Sequence, residues 1–302
     1  MSTASTVRET HKLTGDDAWR TLAATGRLRL VGDAFARLRA ADGFSHSRSL
    51  AFATSLVFVQ GLIALVGLAV QFGQAGFSRT ILGAIDGAVP GPAGGLLTGA
   101  FAQAQHVALE HRSLPLVLGL AGTLVTATTA TAQLTRGINR LYGIENDGPF
   151  INKCVRAFLL ALLVVVALIG AGAILTMGRA LSGNAGGGTH LAWHLFRWPL
   201  PLALAAAAFG GILRWAPRRR QPDWSWLVFG GVIGVGGWTI VTLAFSLAFR
   251  ASSSFGAVYG PLAGVVALQA WTFGSAVAIF FGAACAAQLE AVRSGTQAPA
   301  RV

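Results

Sequence analysis

Two apolar runs near the carboxyl end constrain this chain more than any other feature. Residues 227–249 and 258–284 are separated by a short link from Arg250 to Ala257, and neither run contains an acidic or basic side chain. At a rise of about 1.5 Å per residue, each can cross a hydrocarbon layer about 30 Å thick. A buried helix of a soluble domain can also be apolar all round, but two such runs back to back weigh against it. Gly256, Gly260 and Gly264 recur at intervals of four and are followed by Trp271. Small residues at that spacing let a neighbouring helix approach closely in lipid. The pair reads as a packed membrane hairpin, and Gly260→Leu is expected to overpack it.

The totals agree. Of 302 residues, 54% are hydrophobic and 11% charged, whereas a soluble domain carries about 25% charged residues. Mean hydropathy is +0.61. The two cysteines, Cys154 and Cys285, are too few for a disulfide framework or a metal cluster. The polar first 45 residues hold no apolar stretch of signal-peptide type.

Read in order, the chain predicts a loose cytoplasmic tail over 1–26, then an amphipathic interfacial segment over 27–49. Leu28, Val31, Phe35 and Leu38 share one helical face there, with Arg37 and Arg39 between. The membrane domain spans 50–290, with crossings at about 50–72, 114–134, 155–177, 191–213, 227–249 and 258–284. The long connection after the first crossing breaks at Pro90-Gly-Pro92, which predicts two short amphipathic helices. Five threonines between Thr123 and Thr131 stand in the second crossing; each can bond its own helix backbone or a partner helix. Pro199 and Pro201 kink the fourth crossing or delay its start to about Leu200. Residues 291–302 form a second tail. The fold class is an all-α integral membrane protein of six transmembrane helices, with short amphipathic helices before helix 1 and between helices 1 and 2.

Charge placement orients it. The net charge is +12, and 18 of the 23 Lys and Arg fall in residues 1–49, the carboxyl tail and the 135–156 and 214–226 loops. Cytoplasmic loops carry such an excess, so both termini are expected in the cytoplasm. The same placement accounts for the basic balance without nucleic acid, which is not an expected partner.

Little in the sequence points to catalysis. His106 and His111 flank Glu110 at a spacing unlike that of a metalloprotease helix, and His190 and His194 have no Asp, Glu or Cys nearby. An enzyme would need hidden convergence of histidines with Glu145, Asp147 or Asp223. No catalytic residue, metal site or cofactor is expected. No ionisable group lies at mid-depth of a predicted crossing, where a proton-coupled transporter usually keeps one. Asn139, Tyr142, Tyr259 and Gln269 are the polar candidates for a substrate path, and helix-packing contacts are the alternative reading. Gly256, Gly260, Gly264 and Trp271 are read as packing residues.

At Phe255-Gly-Ala-Val-Tyr259-Gly260-Pro-Leu-Ala-Gly264, then Trp271 and Phe281-Gly282-Ala283, the chain resembles the YihY/BrkB family of bacterial inner-membrane proteins. Asn139-x-x-Tyr142 and the basic Pro217-Arg-Arg-Arg stretch leading to Gly230-Gly231 add to the resemblance, which covers about residues 30–290. It implies six membrane helices with both termini inside, in the cytoplasmic (inner) membrane, and it supplies no catalytic residue. The family's old ribonuclease name is regarded as a misassignment. This chain departs from the pattern at Ala284, where the family usually has Glu, and in the first helix, which lacks the usual tyrosine and later proline. The resemblance implies a transporter or flippase-like exporter of a lipid or envelope component. A non-transporting scaffold for envelope proteins is the alternative. Membrane lipids are the expected partners, and oligomeric state is open.

Overall fold

In a computed structural model, the described residues are 4–10, 13–71, 78, 81–83, 85, 89–111, 113–146, 151–152, 155, 158–160, 162, 199–252 and 255–296. Among them the regular structure is entirely helical: α1 (Gly15–Thr25), α2 (Arg27–Ala40), α3 (Gly43–Gln71), α4 (Gly91–Glu110), α5 (Leu114–Leu141), α6 (Pro199–Trp215), α7 (Trp224–Ala251), α8 (Phe255–Tyr259), a 3-10 turn (Gly260–Leu262) and α9 (Ala263–Arg293). Among the described residues four helices are long and apolar enough to cross a membrane: α3, α5, α7 and α9, of 28 to 31 residues. At 1.5 Å per residue, 28 residues reach about 42 Å, more than the hydrocarbon layer needs. The predicted crossing at 155–177 and the first part of the one at 191–213 lie outside the described residues, apart from a few positions. Pro199 and Pro201 are among the first three described residues of α6.

The amino-terminal tail, expected to be loose, is corrected: it carries α1. Thr14 starts that helix, its N–H and its hydroxyl both donating to the Asp17 carboxylate at 3.2 and 3.1 Å. This local bonding outweighs a composition with no clear periodic face. Gly26, at φ +84°, turns the chain into α2, and Asp42, at φ +54°, separates α2 from α3.

The chain divides into two compact units, whose boundaries at 46/47, 133/134, 237/238 and 276/277 fall inside α3, inside α5, inside α7 and inside α9. The first comprises residues 1–46, 134–237 and 277–302. Its helices pack through small residues. A Cβ on Gly282 of α9 would lie 2.6 Å from the Gly234 Cα of α7, and one on Gly230 would lie 2.7 Å from the Ala286 Cβ. Such backbone contact is how helices gain dispersion energy where lipid removes the hydrophobic drive. Leu213, Trp226, Leu227, Phe280 and Leu289 fill the remaining interior.

The second unit comprises residues 47–133 and 238–276. Leu62, Val66, Ile81, Ile85, Leu97, Phe101, Leu268 and Trp271 form its apolar cluster. The long connection after α3 therefore contributes to a core, and Pro90-Gly91-Pro92 starts the 20-residue α4. Gly119 of α5 lies against Ala64 of α3, and Gly67 of α3 against Leu116. The five threonines from Thr123 to Thr131 in α5 return their hydroxyls to the carbonyl four residues earlier. That choice satisfies the hydroxyl within its own helix.

Candidate functional site

The first unit holds a buried polar cluster built on Arg37. On α2 the buried face is Leu30, Ala34, Arg37 and Leu38, whereas Leu28, Val31 and Phe35 are exposed. Arg37 thus points inward with the face that packs, and its side chain is fully buried. Its Nε donates to Gln288 Oε1 at 2.8 Å. One terminal nitrogen donates to the carbonyls of Ser5 and Leu141 at 3.0 Å each. The other reaches Ser5 Oγ at 3.3 Å. Leu141 ends α5, so the guanidinium also neutralises an orphan carbonyl at the negative end of that helix. Every one of these acceptors is neutral. Burial lowers the Arg37 pKa to about 10, with the Tyr142 hydroxyl acting in the opposite direction.

Arg219 is the second centre. It comes from the loop between α6 and α7, where Pro217 and Pro222 keep the backbone out of helix. Its guanidinium pairs with Glu290 of α9 at 2.5 Å, the two side chains being 3% and 0% exposed. Its central carbon stands 4.8 Å from the centroid of the Tyr142 ring, a cation–π arrangement. Thr10 also donates its hydroxyl to Glu290, at 2.5 Å. Tyr142 is fully buried, and its hydroxyl, the Gln288 amide nitrogen and Glu290 Oε2 have no hydrogen-bond partner among the described residues. Burial, and then the negative charge of Glu290, push the Tyr142 pKa up, so the neutral phenol is the form the site holds.

Residues 4–10 complete the cluster as a strap. The N–H of Ala4 donates to the Arg140 carbonyl and that of Val7 to the Tyr142 carbonyl, both at 3.2 Å. Arg219 in turn donates to the carbonyls of Val7 and Arg8 at 3.4 and 3.2 Å. Gly143 makes room for this passage. It stands at φ +79°, and a Cβ there would lie 2.5 Å from the Thr6 Cα.

The sequence candidates fall in different places. Asn139 is buried in the first unit and accepts from the Arg218 N–H at 3.0 Å, so it and Tyr142 belong to the cluster just described. Tyr259 and Gln269 belong to the second unit. Tyr259 is 44% exposed, its ring centroid 4.7 Å from that of Phe255. Gln269 accepts from Ser55 at 3.0 Å. Trp271 is buried and donates to Thr242 Oγ1 at 3.1 Å. Gly264 lies against Leu96 and the Pro92 carbonyl of α4, but Gly256 and Gly260 have no described atom within 4 Å of a Cβ position.

Arg37, Arg219, Gln288 and Glu290 were not singled out by sequence reasoning. One signal was there: Glu290 is the only acidic residue after Asp223, and it sits in a helix apolar enough to span a membrane. A carboxylate in that position is a functional pointer. Ala284, where the family's Glu is expected, is itself buried six residues earlier on the same helix. The described residues contain no group of three or more His, Cys, Asp or Glu suited to a metal ion. His46 is buried beside Phe280, and His106 and His111 lie on α4 and at its end. His190, His194 and Asp147 lie outside the described residues.

The sequence profile of the family described as virulence factor BrkB matches residues 34–301. That span includes Arg37, Tyr142, Arg219 and Glu290 and leaves out the strap. YfkH of Bacillus subtilis (strain 168), a protein described as ribonuclease-like, is 24% identical over 262 residues, covering 84% of this chain and 93% of YfkH. No solved structure matches. With its long apolar helices and a family match over most of its length, the chain belongs to the YihY/BrkB family and is a multi-pass protein of the inner membrane.

Proposed function

We propose that the protein is a transporter or flippase-like exporter of a lipid or envelope component. The observation that carries this reading is the buried cluster of Arg37, Tyr142, Arg219, Gln288 and Glu290 in an otherwise apolar protein. Burying an ion pair gains little stability over well-packed apolar groups of the same volume, because desolvation offsets the Coulomb attraction. Ionisable groups among membrane helices usually mark a pathway for ions or polar groups. The full architecture in this reading has six crossings over 50–290 with both termini in the cytoplasm, a topology that the distribution of Lys and Arg supports. The cluster then stands at the cytoplasmic end of the helices. Asn139 and Tyr142 line the entrance in this reading, and Tyr259 and Gln269 are the polar candidates of the second unit.

A scaffold for envelope proteins is the second reading. It is favoured by the apolar side chains that α5 and α7 leave exposed, among them Val117, Leu124, Ile240 and Leu247; these meet either lipid or other helices. The ribonuclease-like description of YfkH is not extended to this chain. Hydrolysis of RNA needs an acid and a base open to substrate, and the Glu290 carboxylate is buried against Arg219.

The test is reconstitution into proteoliposomes carrying fluorescent phospholipids, with dithionite quenching to count lipids that change leaflet. Transport predicts quenching beyond the outer-leaflet half at a rate set by protein density. Vesicles that stop at half, with specific cross-linking of α5 or α7 to envelope proteins in cells, would move the assignment to a scaffold.

A further inference from the structure

We infer that Arg37 and Arg219 form a binding site for a phosphate-bearing anion, and that the amino-terminal strap, residues 4–10, occupies this site in competition with it. The terminal nitrogens of Arg37 donate to Ser5 O, Ser5 Oγ and Leu141 O. Those of Arg219 donate to Val7 O, Arg8 O and Glu290. Four of these six acceptors belong to the strap and all four are neutral. Glu290 is the carboxylate seated here, and it already pairs with Arg219. Among the described residues, two buried guanidiniums thus bond a single carboxylate, that of Glu290.

Guanidinium forks bind phosphate oxygens better than carbonyl oxygens, since each bond becomes charge-assisted. An anion that took over the acceptor positions of Ser5, Val7 and Arg8 would also meet the fully buried Tyr142 hydroxyl, a donor with no partner among the described residues. This unused donor lies within electrostatic reach of both arginines. Apart from the two guanidiniums, the strap is held by backbone hydrogen bonds from Ala4 and Val7, the Thr6 hydroxyl on the Gly143 carbonyl, the Thr10 hydroxyl on Glu290, the Glu9 carboxylate accepting from the Arg220 N–H and the buried side chains of Ala4 and Val7. None of these bonds is part of a helix's own backbone ladder, so the strap can leave without unfolding the helices beneath it.

The site deepens the transport reading, since it gives the cargo a charge. It is tested by binding in detergent, where no transport takes place, so either can fail alone. The experiment follows amide hydrogen exchange over residues 4–10 of the full-length protein. Three probes are titrated: dihexanoylphosphatidylglycerol, inorganic phosphate and dihexanoylglycerol, which has the same tails without phosphate. Displacement of the strap predicts that the phosphate-bearing lipid speeds exchange at Ala4 and Val7 by about tenfold or more. Acceleration by the lipid alone identifies a headgroup site, and acceleration by inorganic phosphate as well identifies a general phosphate site. Val7→Ser loosens the strap without touching either arginine. It is expected to lower the midpoint of the titration by roughly threefold or more, because a competitor that is absent more often costs the ligand less. Unchanged exchange with both phosphate probes, an equal effect of dihexanoylglycerol, or an unchanged midpoint in Val7→Ser would overturn the inference.

Discussion

The two units draw on the same four long helices and solve different problems with them. The second unit packs aliphatic and aromatic side chains around Leu62, Leu97, Leu268 and Trp271, and its α5 hydroxyls are consumed by their own helix backbone. In the first unit, bare backbone meets backbone at Gly234 and Gly282, and guanidiniums, a carboxylate and a phenol are buried nearby. A unit of the second kind needs only to be filled. One of the first kind depends on specific partners, because each buried charge left alone is costly. In the transport reading, function falls where burial costs free energy that packing alone does not require.

Mutations sharpen this contrast, beginning with the largest effect. Glu290→Ala leaves Arg219 buried without its counter-charge and is expected to cost about 3–5 kcal/mol, read as thermal unfolding in detergent. Replacing both partners by apolar residues, Arg219→Met with Glu290→Leu, should recover much of that loss. A cost below about 1 kcal/mol for Glu290→Ala would mean the pair behaves as a solvated one and would erase the contrast.

Next comes the small-residue contact. Gly282→Val drives a side chain into the Gly234 backbone, and about 1–3 kcal/mol of overpacking is expected, with chemical denaturation as the readout. In the second unit, Gly260→Ala is expected to cost about 1–2 kcal/mol through its φ of +50°. No steric part is expected, since no described atom lies within 4 Å of the added Cβ. Gly260→Leu should then cost about the same as Gly260→Ala, and a large excess for leucine would restore the overpacking expected from the glycine spacing. The smallest effect belongs to Thr242→Val, which removes the acceptor of the Trp271 indole N–H. About 0.6 kcal/mol is typical of such bonds between membrane helices.

Hydropathy made the second unit legible and left the first obscure. Apolar runs announced α3, α5, α7 and α9 because lipid and a dry core demand the same side chains. Their ends were less visible. Leu134 was the expected limit of one crossing, but α5 continues to Leu141, because Arg136 and Arg140 are good helix formers once the helix leaves the apolar layer. Arg37 and Arg219 were counted with the charges that fix topology, and the count was blind to burial. Arg37 lies one residue before Leu38, and on α2 the two share the buried side while Leu28, expected on the apolar face, is 89% exposed. Composition cannot tell which flank of such a helix packs; only the positions of Gln288 and Leu141 decide it. The glycine series misled in another way. Interval-four spacing fits a packing face, yet a 3-10 turn at Gly260–Leu262 interrupts the helix there, and among the described residues only Gly264 meets a neighbour.

In the transport reading, the buried polar cluster serves movement of a lipid. The most direct measurement is the dithionite assay with fluorescent phosphatidylglycerol, run on wild type and on Arg37→Gln in the same vesicles. Arg37→Gln keeps a hydrogen-bonding side chain and removes the charge, and its elution profile and unfolding temperature establish that it is folded. The account predicts that wild type exposes inner-leaflet lipid well above protein-free vesicles and that folded Arg37→Gln falls back toward them. Wild type no faster than empty vesicles, or folded Arg37→Gln as fast as wild type, would contradict it.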